Sequence, residues 1–153
     1  MLTNDLVERL RTRLEHDSSD LAPPATPEAV QGAEQLLGWS LPADVTEYFT
    51  RVGNGASDWY PGLPGGGTDD LGNDAVQLAL HARLPDPDEA ESQSGYIPRD
   101  DVLAVAYWGC SVYSWVCRDG TMVGSDGWDW IPDGRAFRQW LEELADGTLE
   151  QPC

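Results

Sequence analysis

Leu41-Pro42-Ala43-Asp44-Val45-Thr46-Glu47-Tyr48-Phe49-Thr50-Arg51-Val52-Gly53-Asn54-Gly55 is the stretch that decides how this chain is read. Val45, Tyr48, Phe49 and Val52 fall at i, i+3, i+4 and i+7, the spacing that brings side chains onto one face of an α-helix. Pro42 sits at the start of the helix, where a missing N–H costs nothing. Gly53-Asn54-Gly55 closes it with residues that accept a left-handed helix exit.

Upstream, Thr26-Pro27-Glu28 opens another helix in good chemical order, with Thr26 as cap, Pro27 at the first turn and Glu28 at the positive end of the dipole. Val30, Ala33, Leu36 and Leu37 supply its apolar face, and Gly38 stops it. Leu2, Leu6, Leu10 and Leu14, with Val7 alongside, predict a first amphipathic helix over residues 3–16. The run Ser18 to Pro24 breaks it.

Downstream the pattern changes. Pro61, Pro64, Gly65, Gly66 and Gly67 forbid long regular elements. Val76, Leu78, Leu80, Ala82 and Leu84 alternate and are read as a strand, although the Ala, Leu and Gln content also suits a helix. Pro85 through Gly95 reads as an acidic loop. Val102–Trp108 and Val112–Cys117 read as strands, and Arg118-Asp119-Gly120 as a turn into the return strand Thr121-Met122-Val123. A last helix is predicted over residues 134–146, with Phe137, Trp140, Leu141 and Leu144 on one face. The result is a single α+β domain over residues 1–153, with N-terminal helices and a C-terminal helix packed on an antiparallel sheet. Residues 1–22 form an N-terminal helical extension in this reading, and residues 56–96 an irregular acidic insert.

Charge narrows the class of partner. Twenty-seven acidic residues face nine basic ones, giving a formal net charge of −18, and all nine are arginine. Such a charge serves solubility, and it disfavours nucleic acid, whose phosphates call for Lys and Arg. A basic protein is the natural partner. No stretch approaches about 18 uninterrupted apolar residues, so no membrane span is expected. Met1-Leu2-Thr3-Asn4-Asp5 lacks the basic and apolar regions of a signal peptide, which points to a cytoplasmic address. Cys110, Cys117 and Cys153 contain no C-x-x-C pair and fit free thiols, with Cys110 and Cys117 read as small buried hydrophobes.

Residues for catalysis are sparse. The phosphate-binding, nucleophile-elbow and zincin motifs are missing from the sequence. His16 and His81 have no converging groups that would make a metal site or a triad. Gly65-Gly66-Gly67 reads as a flexible loop, and Asp69, Asp70, Asn73 and Asp74 miss the spacing of an EF-hand. Asp126, Trp128, Asp129 and Trp130 flank a turn as core caps or interface anchors; paired carboxylates for glycoside chemistry are the other reading, and their separation is not legible in sequence. The expectation is a non-catalytic chain without metal or cofactor.

Pro23-Pro24-Ala25-Thr26-Pro27-Glu28, Ala33-Glu34-Gln35-Leu36-Leu37-Gly38, Leu41-Pro42-Ala43-Asp44-Val45, Tyr48-Phe49 and Val52-Gly53-Asn54-Gly55 together resemble the front half of the SUKH superfamily. That is the domain of the yeast cell-wall-assembly regulator and of many bacterial immunity proteins. Trp108-Gly109-Cys110 and Tyr113-Ser114-Trp115-Val116-Cys117, leading into Asp119-Gly120, resemble the family's central hairpin, and the helix with Phe137 and Trp140-Leu141 its closing element. The likeness covers residues 23–55 and 97–146. It implies an α+β fold without catalytic machinery and, in bacteria, an antitoxin that neutralises a cognate polymorphic toxin, often a nuclease or deaminase, by direct binding. Leu41, Pro42, Tyr48, Phe49, Asn54 and Gly55 are then core and turn positions.

The contact surface is sought in charge and exposure. Asp58, Asp69, Asp70, Asp74, Asp86, Asp88, Glu89 and Glu91 crowd the irregular stretch, and loops on a rigid scaffold often carry recognition. Trp59 and Tyr60 add aromatic groups of the kind that dominate interfaces. These residues are expected to meet a basic toxin domain, with carboxylates standing where substrate phosphates would. Two other readings stand beside it: a regulatory scaffold binding non-toxin partners, and a hydrolase built on Asp126, Asp129 and Asp133.

Overall fold

The computed structural model describes residues 1–17, 20–56, 59–64, 75–81, 101–126 and 130–149. Helix α1 (Asn4–Asp17), α2 (Pro27–Leu37) and α3 (Ala43–Glu47) come first, and α3 runs into a π-helical turn (Tyr48–Val52). A short helix α4 (Ala75–His81) precedes strands β1 (Val102–Gly109), β2 (Val112–Cys117), β3 (Thr121–Ser125) and β4 (Trp130–Ala136), and α5 (Phe137–Asp146) closes the order. The strands form one antiparallel meander, β1-β2-β3-β4. Among the described residues, no helix is long and apolar enough to cross a membrane. The α+β class expected from the sequence is the one observed.

Local chemistry builds α2 as its residues predict. The Thr26 hydroxyl accepts from the Ala29 N–H at 3.1 Å, and Gly38 ends the helix at φ 84° with its N–H on the Glu34 carbonyl. Leu36, expected on the apolar face, is 56% exposed instead, while Val30 and Ala33 are buried. Val45, Tyr48, Phe49 and Val52 are all buried, so the helical spacing identified the right face even though the last turn widens to π geometry. Leu2, Leu6, Leu10 and Leu14 are fully buried in the main core, so α1 is an integral wall of the domain, not an added extension.

Three further expectations are corrected. The alternating segment is a helix over Ala75–His81: Ala75, Val76 and Ala79 are buried, at a helical spacing, and α4 packs on β1. Residues 134–136, read as the start of the last helix, instead end edge strand β4 (Trp130–Ala136), so α5 begins only at Phe137. Pro132 and Gly134 disguise this strand; an edge position tolerates both, because one side of its ladder is unpaired. Cys110 is exposed, whereas Cys117 is buried as expected. Cys110 and Ser111 form a two-residue turn between paired Gly109 and Val112, with φ 52° and 65°. A primed turn matches the strand twist and requires positive φ at both central residues, which holds Cys110 away from the core.

The sheet separates two apolar clusters. On the inner face, Leu103, Val105, Ala106, Val116 and Met122 pack with the leucines of α1 and with Tyr48, Phe49, Phe137 and Trp140. On the outer face, Val102, Ala104, Trp115, Cys117 and Val123 cluster with Leu78, Tyr113 and Trp130.

Candidate functional site

The helix exit positions the site. The Asn54 side chain is completely buried and pairs with the backbone of Leu63 on both sides: its Nδ2 donates to the Leu63 carbonyl at 3.0 Å and its Oδ1 accepts from the Leu63 N–H at 2.7 Å. Gly55 stands at φ 83°, and a Cβ there would lie 2.5 Å from the Tyr60 carbonyl oxygen, so only glycine allows this approach. The loop 59–64 is thereby clamped against the helix exit. It also contacts the sheet, where the Tyr107 N–H donates to the Trp59 carbonyl at 2.8 Å. These bonds fix Trp59 and Tyr60 between the end of α1 and the end of β1.

A cleft of about 210 Å³ opens there, lined by Arg13, Asp17, Trp59, Tyr60 and Trp108. Arg13 Nε and the Tyr60 hydroxyl both donate to Asp17 Oδ2, at 3.1 and 2.7 Å, and His16 Nδ1 lies 3.4 Å from Oδ1. Partial burial pushes the Asp17 carboxyl up, but the hydrogen bonds from Tyr60 and His16 and the Arg13 charge outweigh it, and the carboxyl ends below its ordinary value of 3.8. Burial and the neighbouring carboxylate push the Tyr60 phenol far above its ordinary range. Near neutral pH, then, the cleft presents an ionised carboxylate and a neutral phenol.

Aromatic rings continue from the cleft across the outer sheet face. Trp59 stacks on Tyr107 at 6.5 Å between ring centres, Tyr107 meets Tyr113 at 4.8 Å, Tyr113 meets Trp115 at 5.4 Å, and Trp115 meets Trp130 at 5.6 Å. Cross-strand pairing of Tyr107 with Tyr113 puts the two tyrosines on one face, as alternation along each strand requires. Two indoles are tied by polar bonds: Trp108 Nε1 donates to Ser114 Oγ at 2.9 Å, and Trp115 Nε1 to Ser125 Oγ at 2.8 Å.

Of the residues expected to meet a partner, Trp59 is 38% exposed and Tyr60 only 1%, so Tyr60 forms the floor of the cleft. Asp58, Asp69, Asp70, Asp74, Asp86, Asp88, Glu89 and Glu91 lie outside the described residues, as do Gly65 to Gly67, Asn73, Trp128, Asp129, Cys153 and the side chain of His81. Leu41, Tyr48, Phe49 and Asn54 are buried in the frame that holds the site, Pro42 is the N-cap residue of α3, and Gly55 is a turn position with positive φ. Sequence reading missed Arg13, Asp17 and Trp108 as cleft residues. The Tyr60–Asp17 bond joins positions 43 apart, a convergence that no local pattern carries. Of the suggested hydrolase group, Asp133 is held by Arg135 through contacts of 2.6 and 2.7 Å. Among the described residues, no three His, Cys, Asp or Glu side chains gather as metal ligands would.

Six of the nine arginines form ion pairs within the chain. Arg9 pairs with Asp5 and Asp146, Arg11 with Glu8, Arg13 with Asp17, Arg51 with Glu47, Arg135 with Asp133 and Glu143, and Arg138 with Glu142. No family model matches the chain, and neither a curated protein nor a solved structure matches it.

Proposed function

We propose that this chain is a non-catalytic protein-binding module of the SUKH type, an immunity protein that neutralises a basic toxin domain of the nuclease class by direct binding. The distribution of charge carries the reading. The formal net charge is −18, the chain has no lysine, and six of its arginines are engaged by its own acids. The unpaired excess of acid leaves a net negative field around the chain. Such a field speeds encounter with a basic partner and orients it, while repelling nucleic acid. A partly exposed tryptophan at the mouth of a polar cleft adds an anchor of the type that dominates binding energies.

The test is capture from native cell extract with the tagged chain at low and high salt, bound proteins being identified by mass spectrometry. A stoichiometric basic partner released by salt, whose toxic activity is lost on equimolar addition of the chain, is the expected result. A partner from signalling or envelope assembly would replace the immunity reading with that of a regulatory scaffold. Capture of nothing at either salt would remove both.

A further inference from the structure

The cleft beside Trp59 has a size and a chemistry that select one kind of occupant. At about 210 Å³ it falls below the roughly 300–1,000 Å³ of sites that enclose drug-sized ligands, and it suits one long side chain. Two indoles line it, and both are held in place before anything binds. Trp108 is tied through its N–H to Ser114 and meets Tyr60 edge-on at 6.2 Å, and Trp59 stacks on Tyr107. Fixed rings lose little freedom on binding, which favours affinity from a small contact.

The hydrogen bonds to Asp17 are divided unequally between its two carboxylate oxygens. Oδ2 already accepts from both Arg13 and Tyr60. Oδ1 is approached by the His16 ring at 3.4 Å, from a side chain that is 79% exposed and can swing into water. Among the described residues Oδ1 meets only that ring, so it can receive a further donor in a cleft lined by two indoles. A guanidinium fits that combination better than an ammonium: it is planar, weakly hydrated, and stacks on aromatic faces while donating in its own plane. Arg13 adds positive charge nearby, but its Nε–H is committed to Oδ2, and the surrounding field is that of a chain with net charge −18.

We propose that the cleft formed by Asp17, Trp59, Tyr60 and Trp108 is a receptor for a single arginine side chain projecting from the basic partner. This rests on the reading of the chain as a binder of basic proteins, and names the group such a partner inserts.

The test follows the indole N–H signals of Trp59 and Trp108 by NMR during titration of the ¹⁵N-labelled chain. N-acetyl-arginine amide is compared with its neutral isostere N-acetyl-citrulline amide and with N-acetyl-glutamate amide. Saturable shifts with the arginine compound, at least about fivefold weaker binding of citrulline, and no saturation with glutamate are expected. Asp17→Asn keeps the shape of the side chain and should weaken arginine binding at least about fivefold, and Trp59→Ala should do the same as read at Trp108. Equal binding of citrulline, preference for glutamate, or full affinity in folded Asp17→Asn would overturn the proposal. The citrulline comparison needs no variant, so a misfolded mutant cannot obscure the answer. Because the titration uses the chain alone, it can succeed where partner capture fails. Undiminished capture of a basic partner by Trp59→Ala would remove the cleft from the interface and leave the immunity reading standing.

Discussion

The two faces of the sheet are packed from different material. Against the inner face lie the leucines of α1, Phe49, Phe137 and Trp140, all closed off from water. Across the outer face run Tyr107, Tyr113, Trp115 and Trp130, of which Tyr107, Tyr113 and Trp130 keep part of their surface accessible. The inner rings pack against one another, edge-on in the case of Tyr48 with Phe49 and Phe137, stacked in the case of Phe137 with Trp140. Trp115 on the outer face, and Trp108 beside the cleft, each direct a polar N–H to a serine. The difference teaches a division of labour. The inner face supplies burial, while the outer face supplies fixed, amphipathic rings that lead toward the Trp59 cleft. Amphipathic rings with a satisfied polar group are suited to a surface that is wet in one state and covered in another.

Removing the largest inner ring should break the comparison most forcefully. Trp140 is 1% exposed, and Trp140→Ala should cost about 3–5 kcal/mol, mostly as a cavity between α5 and the sheet. Urea unfolding followed by circular dichroism would show the midpoint collapse; a loss below about 1 kcal/mol would mean that the inner face is not the main source of stability.

An outer ring probes the other half. Trp115→Phe keeps an aromatic ring in the cluster but deletes the N–H that holds the buried Ser125 hydroxyl. The expected cost is about 1–2 kcal/mol, since the orphaned hydroxyl keeps its desolvation penalty. Ser125→Ala in the Trp115→Phe background should restore part of that loss, as measured by the same denaturation, because it removes the unsatisfied partner. Failure of the second substitution to restore anything would show that ring size, not the bond, governs this face.

Sequence pattern made the inner face legible and left most of the outer one dark. The ladder Leu2, Leu6, Leu10, Leu14 and the set Val45, Tyr48, Phe49, Val52 declare their buried faces because burial repeats with the helical period. Helix α4 was misread because Val76, Leu78 and Leu80 alternate, while the burial of Ala75 and Ala79 against β1 follows helical spacing. Strand β4 escaped because an edge strand accepts the Pro and Gly that elsewhere rule strands out. Trp59 was visible as an aromatic group in an irregular stretch. Its cleft was not, because Arg13 and Asp17 arrive from α1 and Trp108 from β1 through contacts that only the folded chain creates. Tertiary convergence of this kind leaves no periodic trace.

Tyr48 offers the smallest change and the sharpest contrast with the outer indoles. Its hydroxyl is buried with no hydrogen-bond partner among the described residues, and burial alone pushes its phenol far above the ordinary tyrosine range. A hydroxyl in that position has lost its water and gained nothing in return, at a cost of roughly 1–3 kcal/mol. The ring itself makes edge-on contacts with Phe49 at 5.0 Å and Phe137 at 5.7 Å, and phenylalanine can make both. Tyr48→Phe should therefore relieve the desolvation cost while leaving a void of one oxygen, which takes back part of the gain. The expected net effect is stabilisation by up to about 1 kcal/mol, read as a higher urea midpoint at unchanged slope. The sign is what matters, because Trp115→Phe on the other face moves stability the opposite way for the same kind of deletion. Destabilisation by Tyr48→Phe would mean that the hydroxyl is satisfied in solution, and the two faces would then differ in ring packing alone.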